Sequence, residues 1–105
     1  MPRPALKQLQ GFLGSVSSSL SSVTATTTST QLLAANTNRA GVAIFNASTA
    51  VLYLRLASGT ASAPPGCSLP VNAGGWIEVP FSYSGVINGV WAAADGGMAL
   101  ITEFI

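Results

Sequence analysis

Residues 51–56 read VLYLRL, and two kinds of side chain alternate along them. Leu52, Leu54 and Leu56 fall on one side of an extended chain, whereas Tyr53 and Arg55 fall on the other. This period of two predicts a β-strand whose leucine face lies on a core. It is the clearest strand signal of the chain, and the segments on both sides show weaker forms of it.

Short apolar segments separated by Gly, Pro and Asn flank this strand, and several are rich in Val, Ile, Tyr and Phe. Such segments between turn signals predict short strands. In 41–46, Val42 and Ile44 share one face. We predict seven strands, at residues 27–34, 41–46, 52–56, 67–71, 76–79, 86–92 and 98–105.

The connections carry their own predictions. Residues 58–66 contain too much Gly, Pro and Ser for a strand and are expected to form an exposed loop. Gly74 and Gly75 permit a tight reversal, so we predict a hairpin between 67–71 and 76–79. Residues 95–97 are expected to join 86–92 and 98–105 as a second pair.

These strands predict an all-β fold, either an antiparallel β-sandwich or a jelly-roll-like barrel of about seven short strands. Composition changes near Thr30, where a leader rich in Ser and Thr gives way to the apolar segments. We therefore predict an N-terminal arm at 1–28 and a β-sandwich body at 29–105.

The leader also contains a repeat in steps of three and four, which is the seam spacing of a coiled coil and would suit a helical trimer stalk. Its members are Leu6, Leu9, Leu13, Val16, Leu20 and Val23. Gly11 and Gly14 oppose a helix, since each costs about 1 kcal/mol in a helix interior. We expect an extended or partly helical arm, helical at most over 5–13, and the stalk stays open as an alternative.

Charged side chains are scarce, at 7% of 105 residues, against about a quarter in ordinary domains. A surface so poor in charge favours association with copies of the chain or with neighbours. Four scattered basic residues cannot neutralise a run of phosphates, which argues against a nucleic-acid partner. No apolar run approaches the length of a membrane span, and no signal-peptide core is evident, so we expect assembly in the cytoplasm.

The sequence contains few residues that could act in catalysis. There is no histidine, and Glu78, Asp95 and Glu103 are best interpreted as solvated surface carboxylates. The single cysteine, Cys67, is expected to be a small buried hydrophobe. We therefore predict no enzyme activity, no catalytic residue, no cofactor and no metal site.

Partner contacts are predicted from the arm and from two arginines. Arg55 lies opposite the leucine face, where its guanidinium can hold a neighbour's carboxylate, while Arg39 lies in a turn where a solvated charge is favoured. Trp76, Trp91, Phe81 and Tyr83 are expected mainly in the core, with subunit contact as the alternative. The full set of candidate contacts is Leu6, Leu9, Phe12, Leu13, Val16, Leu20, Arg39 and Arg55.

Several motifs of residues 31–105 together resemble small virion proteins of tailed bacteriophages. The opening resemblance lies in residues 36–46 (NTNRAGVAIFN), with Ser48, Thr49 and residues 51–54 after them. It continues through the glycine turn and aromatic strand of residues 74–80 (GGWIEVP) and through residues 83–91 (YSGVINGVW). These are structural turn-and-strand patterns, so they transfer no catalytic residue.

The resemblance implies a non-enzymatic structural protein of the virion. The favoured role is a capsid cement or decoration protein, a homo-oligomer and preferably a trimer, which clamps neighbouring major capsid subunits. The alternative is a neck, tail or fibre component, in which the 58–66 loop and the tryptophans recognise a host glycan. A third class, a carbohydrate-binding module outside any virion, predicts glycan binding by the isolated chain.

Overall fold

The computed structural model describes residues 17–79 and 83–105, which form eight β-strands in two antiparallel sheets. The strands are β1 (Ser18–Thr24), β2 (Thr30–Leu33), β3 (Gly41–Ala47), β4 (Leu52–Arg55), β5 (Leu69–Val71), β6 (Trp76–Val79), β7 (Ile87–Trp91) and β8 (Met98–Phe104). The first sheet has the order β1-β8-β3-β6, and the second sheet has the order β2-β7-β4-β5. The predicted all-β sandwich is confirmed, with one strand more than expected.

In both sheets, strands from the first half of the chain pair with strands from the second half in reverse order. β1 pairs with β8, β2 with β7, β3 with β6 and β4 with β5, all antiparallel. The chain is thus a long ribbon doubled back at the loop between β4 and β5. Pairing of β3 with β8 and of β4 with β7 then rolls this ribbon into two layers. This is the connectivity of a double-sheet jelly roll.

The extra strand, β1, lies inside the segment that the sequence assigned to the arm. It pairs with β8 along all seven residues, from Ser18 opposite Phe104 to Thr24 opposite Met98. In this extended segment Leu20 and Val23 point to opposite faces of the sheet, because side chains alternate along a strand. The coiled-coil seam is therefore wrong for these two residues, and the predicted helix at 5–13 lies outside the described residues.

Both predicted hairpins are wrong. β5 belongs to the second sheet and β6 to the first, and β7 and β8 are divided in the same way. The glycine turn is real, because Gly74 has a φ of 74°, but the chain crosses there from one layer to the other. A tight glycine turn permits either a hairpin or such a crossing, and only long-range pairing selects between them.

The core lies between the two sheets and is built by the predicted alternation. Val42 and Ile44 of β3 face Leu52 and Leu54 of β4, and all four are nearly inaccessible. Gly89 of β7 keeps this layer close, since a Cβ there would lie 2.9 Å from Leu32 Cδ1 and 3.0 Å from Leu52 Cδ1. Leu56 lies beyond the end of β4 and packs only partly against the core.

Polar groups close the core at its two ends. At one end the buried Asn46 side chain accepts a hydrogen bond from Trp91 Nε1 at 3.2 Å and donates to the carbonyl oxygens of Ala50 and Val71. At the other end Arg39 pairs with Glu103. No buried side-chain polar atom within 17–79 and 83–105 lacks a hydrogen-bond partner. Both sheets therefore share one apolar interior with satisfied polar ends.

The long connection between β4 and β5 lies against the outer face of the second sheet. Asn88 Nδ2 donates to the Gly59 carbonyl at 2.8 Å, and Ala61 N donates to Ser29 Oγ at 2.8 Å. The predicted loop at 58–66 is confirmed as a mostly exposed loop, but Ala61 within it is buried. The chain thus covers the outside of one of its own sheets.

Candidate interaction surface

The outer face of the first sheet carries a cluster of large apolar side chains. Register fixes their positions, because residues directly opposite each other in antiparallel strands lie on the same face. Phe45 of β3 is opposite Leu100 of β8 and also opposite Trp76 of β6. These three form a row across three strands, and Ser22 of β1 extends the row opposite Leu100.

Two further residues widen this row. Met98 lies two residues before Leu100 on β8, opposite Ala47. Leu20 lies on β1 opposite Thr102, so it is diagonal to Leu100. Diagonal neighbours on one face are about 7–8 Å apart, within reach of long side chains. We call this set the apolar face: Leu20, Phe45, Trp76, Met98 and Leu100.

The apolar face is open to solvent. Leu20 is 80% exposed and Trp76 65%, and the other three lie between 37% and 44%. Single exposed hydrophobic residues are normal on protein surfaces, whereas a contiguous group of them marks an interaction site. All five large exposed hydrophobic residues of the described chain fall on this one face of one sheet.

Charge is nearly absent from this surface. Of the side chains that the described strands place on the outer face of the first sheet, only Glu78 is ionisable, and it lies on β6 opposite Ala43. The remaining side chains of this face are those of Ser, Thr, Ala and Gly residues and of Phe104, which is partly buried. Burying such a face against a partner removes few charges from water, so the desolvation cost is small.

Among the residues predicted as contacts, Leu20 belongs to the apolar face. Leu6, Leu9, Phe12, Leu13 and Val16 lie outside the described residues. The two arginines are not on this face, and each is bound by its own chain.

Arg39 is buried and is not the solvated turn residue that the sequence suggested. Its Nε donates to Glu103 Oε2 at 2.9 Å, and its terminal nitrogens donate to the carbonyl oxygens of Gly85 and Ala34. Its side chain is fully inaccessible and that of Glu103 is 11% exposed. Arg39 therefore joins three segments of the chain and cannot contact a partner without unfolding this end.

Arg55 faces away from the leucines, as predicted, but its guanidinium is engaged locally. Nε donates to the Ser58 carbonyl at 2.8 Å, and one terminal nitrogen lies 3.4 Å from the Gly66 carbonyl. These bonds hold the two ends of the 58–66 loop to β4. The structure thus gives Arg55 a role within the loop that covers the second sheet.

The aromatic residues divide between the core and the surface. Trp91 is buried, as predicted, while the prediction of a core position for Trp76 is wrong. Tyr83 packs against the core and donates its hydroxyl proton to the Val86 carbonyl. Phe81 lies outside the described residues.

The three carboxylates lie in three different environments. Glu78 is exposed, as predicted, whereas Glu103 is buried in its ion pair. Asp95 is exposed and accepts hydrogen bonds from the Thr49 hydroxyl, the Gly97 N–H and the Thr49 N–H. These bonds, the one from the Thr49 side chain first, lower the pKa of Asp95 from 3.8 to about 2.

This arrangement of Asp95 is that of a structural tie between two loops. Within 17–79 and 83–105, no three His, Cys, Asp or Glu side chains come close enough to hold a metal ion.

Cys67 is a free thiol and is partly exposed, so the expected burial is incomplete.

Sequence reasoning missed Phe45, Trp76, Met98 and Leu100 as contacts, although one signal was present. β8 reads MALITEF, in which apolar residues occupy both alternating sets of positions over four residues. Such a strand is typical of burial on both faces, and here only one face is covered by the chain itself.

Comparison of the chain with protein-family models, with curated proteins and with solved structures gives no significant match. In the part of the chain that the structure describes, no helix is suited to crossing a membrane. The function must therefore be argued from the surface itself.

Proposed function

We propose that the chain is a non-enzymatic structural protein of a bacteriophage virion. In this proposal it is a capsid cement or decoration protein, assembled in the host cytoplasm, which binds neighbouring major capsid subunits through the apolar face. The observation that carries the proposal is the contiguous group of five exposed apolar side chains on a sheet with one ionisable neighbour. A surface of this kind is suited to permanent contact with another protein.

The fold is compatible with this role. Double-sheet jelly rolls occur in viral capsid domains and also in lectins, so the fold supports both the favoured role and its alternative. A fold of this kind serves many functions, so the particular role depends on the exposed surface. The motifs of residues 31–105 that resemble phage virion proteins give the proposal its particular partner.

The energy available from one copy is modest. Full burial of a large apolar side chain is worth about 1.5–3 kcal/mol, before the cost of association is subtracted. A decoration protein does not need more, because many copies on one shell add their contributions. A single chain should therefore bind weakly to isolated capsid protein, while many bound copies together stabilise an assembled shell.

Residues 1–16 extend this mechanism as a proposed arm. They join the first sheet at Ser17, directly before β1 and beside Leu20 of the apolar face. The apolar residues among them would contact a neighbouring capsid subunit when the face is docked. Such an arm would turn a single contact into a clamp across two subunits.

The proposal is tested by cosedimentation of the chain with capsids from which it is absent. Leu100→Lys places a charge in the centre of the apolar face and should lower binding at least tenfold. Gln31→Lys adds the same charge to an exposed position of the second sheet and should leave binding unchanged. Equal binding by both variants would remove the apolar face from the mechanism.

The arm is tested in the same assay. Deleting residues 1–16 keeps β1 and should leave a folded chain with weaker capsid binding, whereas deleting 1–28 would also remove β1 and its pairing with β8. Full retention of binding after the shorter deletion would exclude a clamping arm.

Trp76 supports an alternative role at the neck, tail or fibre. Its ring is exposed at the start of β6, where it could stack on a sugar of a host glycan. Copy number separates the two roles, since a shell protein occurs in hundreds of copies per particle and a tail component in about a dozen or fewer, by the symmetry of the two sites. Quantitative mass spectrometry of purified particles decides between them.

A further inference from the structure

The two sheets have four edge strands, and three of them are protected against further pairing. β2 has four residues and a register shift between Gln31 and Leu33, and β5 has three residues with Pro70 at its centre. β6 has four residues and carries Glu78. Short length, irregular register, proline and charge are the means by which natural sheets prevent association at their edges.

β1 has none of these protections. It is seven residues long, regular in register, and contains only Ser, Leu, Val and Thr. Six of its seven residues are exposed, and β8 is the only strand paired with it within the described chain. An open edge of this length is a template for another strand.

The hydrogen bonds at the ends of β1 show which of its backbone groups bond to β8 and which point away from it. Ala25 N donates to Gly97 O, and Ile105 N donates to Ser17 O, both at 2.9 Å. In an antiparallel pair, hydrogen-bonded and non-hydrogen-bonded positions alternate. The odd-numbered residues therefore bond to β8, while the N–H and C=O groups of Ser18, Leu20, Ser22 and Thr24 point away from the sheet.

We propose that this edge binds the same edge of a second copy, so that two β1 strands pair antiparallel about a two-fold axis at Ser21. All four outward-pointing residues are then used. Ser18 of one copy lies opposite Thr24 of the other, and Leu20 lies opposite Ser22. The two first sheets become one continuous eight-stranded sheet.

A second copy fits this edge better than a protein of different sequence. The edge has no charge that would repel its own copy or select an oppositely charged partner. The outward-pointing N–H and C=O groups recur at every second residue. The same edge of a second copy, running in the opposite direction, presents the same spacing. Two-fold pairing also closes after two chains, whereas pairing of β1 with β6 of another copy would build rings or open chains.

Length and charge disfavour that second arrangement. β6 offers four residues to the seven of β1, and Glu78 would be placed at the junction. We therefore propose a dimer in place of the trimer expected from the sequence. The dimer does not depend on the proposed virion role, although it would join two apolar faces into one surface on the same side of the sheet.

The first experiment measures the mass of the full chain in solution by sedimentation, over a range of concentrations. The expected mass at high concentration is twice the chain mass of 10.6 kDa. Ser22→Pro removes an outward N–H without removing a bond to β8, and proline is tolerated in an edge strand at such a position. It should give a monomer with unchanged circular dichroism, whereas Ser22→Ala should remain dimeric.

A monomeric or trimeric full chain would overturn the proposal, and so would a dimeric Ser22→Pro variant. A monomer would also be the result if residues 1–16 or another protein occupied this edge. Ser22→Lys provides a second disruption that leaves the backbone unchanged, so misfolding of the proline variant would not decide the outcome.

The second experiment tests the register. In a Cys67→Ser background, Ser21→Cys places two thiols opposite each other at the axis, at a Cα separation of about 4.5 Å that permits a disulfide. Mild oxidation should give a cross-linked dimer, while Gln31→Cys, an exposed control on the second sheet, should not cross-link. Cross-linking of both variants to the same extent, or of neither, would contradict a two-fold axis at Ser21.

Discussion

The two sheets have equal numbers of strands and share one core, yet their outer faces differ. On the second sheet the chain between β4 and β5 lies over the surface, and Asn88, Arg55 and Ser29 bind it there. On the first sheet no described segment covers Phe45, Leu100 or Trp76. The chain therefore uses its longest loop on one face and leaves the more apolar face open.

This difference indicates that the open face is not a consequence of small size. A chain of 105 residues can form only a small core, yet one of its loops covers the outer face that holds Tyr53 and Arg55. Phe45 and Tyr53 are the informative pair, since each is an outward aromatic residue of a central strand. We interpret the cover over Tyr53 as a contribution to stability and the exposure of Phe45 as a provision for binding.

The largest difference in stability is expected between substitutions on the inner and on the outer face of the same strand, β3. Ile44→Ala removes buried side-chain atoms from the shared core and should lower the free energy of unfolding by about 2–4 kcal/mol. Phe45→Ala, the next residue on the same strand, should lower it by only about 1 kcal/mol, because its side chain is partly exposed and loses only its cross-strand contacts with Leu100 and Trp76. Urea unfolding of both variants measures the two values.

Similar losses of stability in the two variants would contradict the distinction between a buried inner face and an open outer face of the first sheet. A loss above about 2 kcal/mol for Phe45→Ala would mean that the outer face of the first sheet contributes to the fold as a buried layer does. The apolar face would then be structural, and its proposed contact with capsid subunits would lose its support.

A smaller effect is expected from loosening the cover of the second sheet. Asn88→Ala removes the hydrogen bond from Nδ2 to the Gly59 carbonyl and should cost about 0.5–1.5 kcal/mol. It should also speed proteolytic cleavage within residues 58–66, because the loop is held less firmly. Limited proteolysis followed by mass spectrometry locates the cuts.

Thr102→Ala on the outer face of the first sheet is the matched control. It alters a polar side chain between β1 and β3 and lies far from the loop in the strand order. It should leave cleavage within 58–66 unchanged. Equal cleavage rates in the two variants would show that the loop is not held by Asn88.

Part of this fold could be predicted because its signals are local. Alternation at 41–46 and 52–56 gave the correct strands and correct inward faces, since side-chain period is a property of neighbouring residues. The choice of partner strand is not local, so the turns at 72–75 and 95–97 were wrongly interpreted as hairpins. β1 was missed because a Ser-rich segment has a weak strand signal of its own and is fixed by pairing with β8.

The contact residues were predictable to a smaller extent. Arg39 has the sequence context of a solvated turn, and its burial depends on Glu103, which is 64 positions away. Trp76 and Trp91 are each flanked by strand residues, and they differ in the face of the sheet to which the ring points, outward for Trp76 and inward for Trp91. Leu20 was predicted as a partner contact in a possible helical seam; the structure places it on the exposed face of a strand, and its contact with a partner stays a prediction.

The smallest effect is expected at Asp95, which ties together two of the crossings between the sheets. Residues 48–51 lead from β3 to β4 and residues 92–97 lead from β7 to β8. The Asp95 carboxylate accepts hydrogen bonds from Thr49 and Gly97. Its pKa is lowered to about 2 in the folded chain, so the folded state favours the ionised form. This contribution to stability is complete above the ordinary carboxyl pKa near 4 and is lost as the pH falls towards 2.

Because Asp95 lies at the surface, solvent screens its interactions and the contribution should be slight. The measurable quantity is the difference in urea midpoint between the unchanged chain and Asp95→Asn, followed from pH 6 to pH 2. That difference should favour the unchanged chain above about pH 4 and should vanish near pH 2. A difference that stays constant across this range would mean that the carboxylate charge does not help to hold the two crossings together.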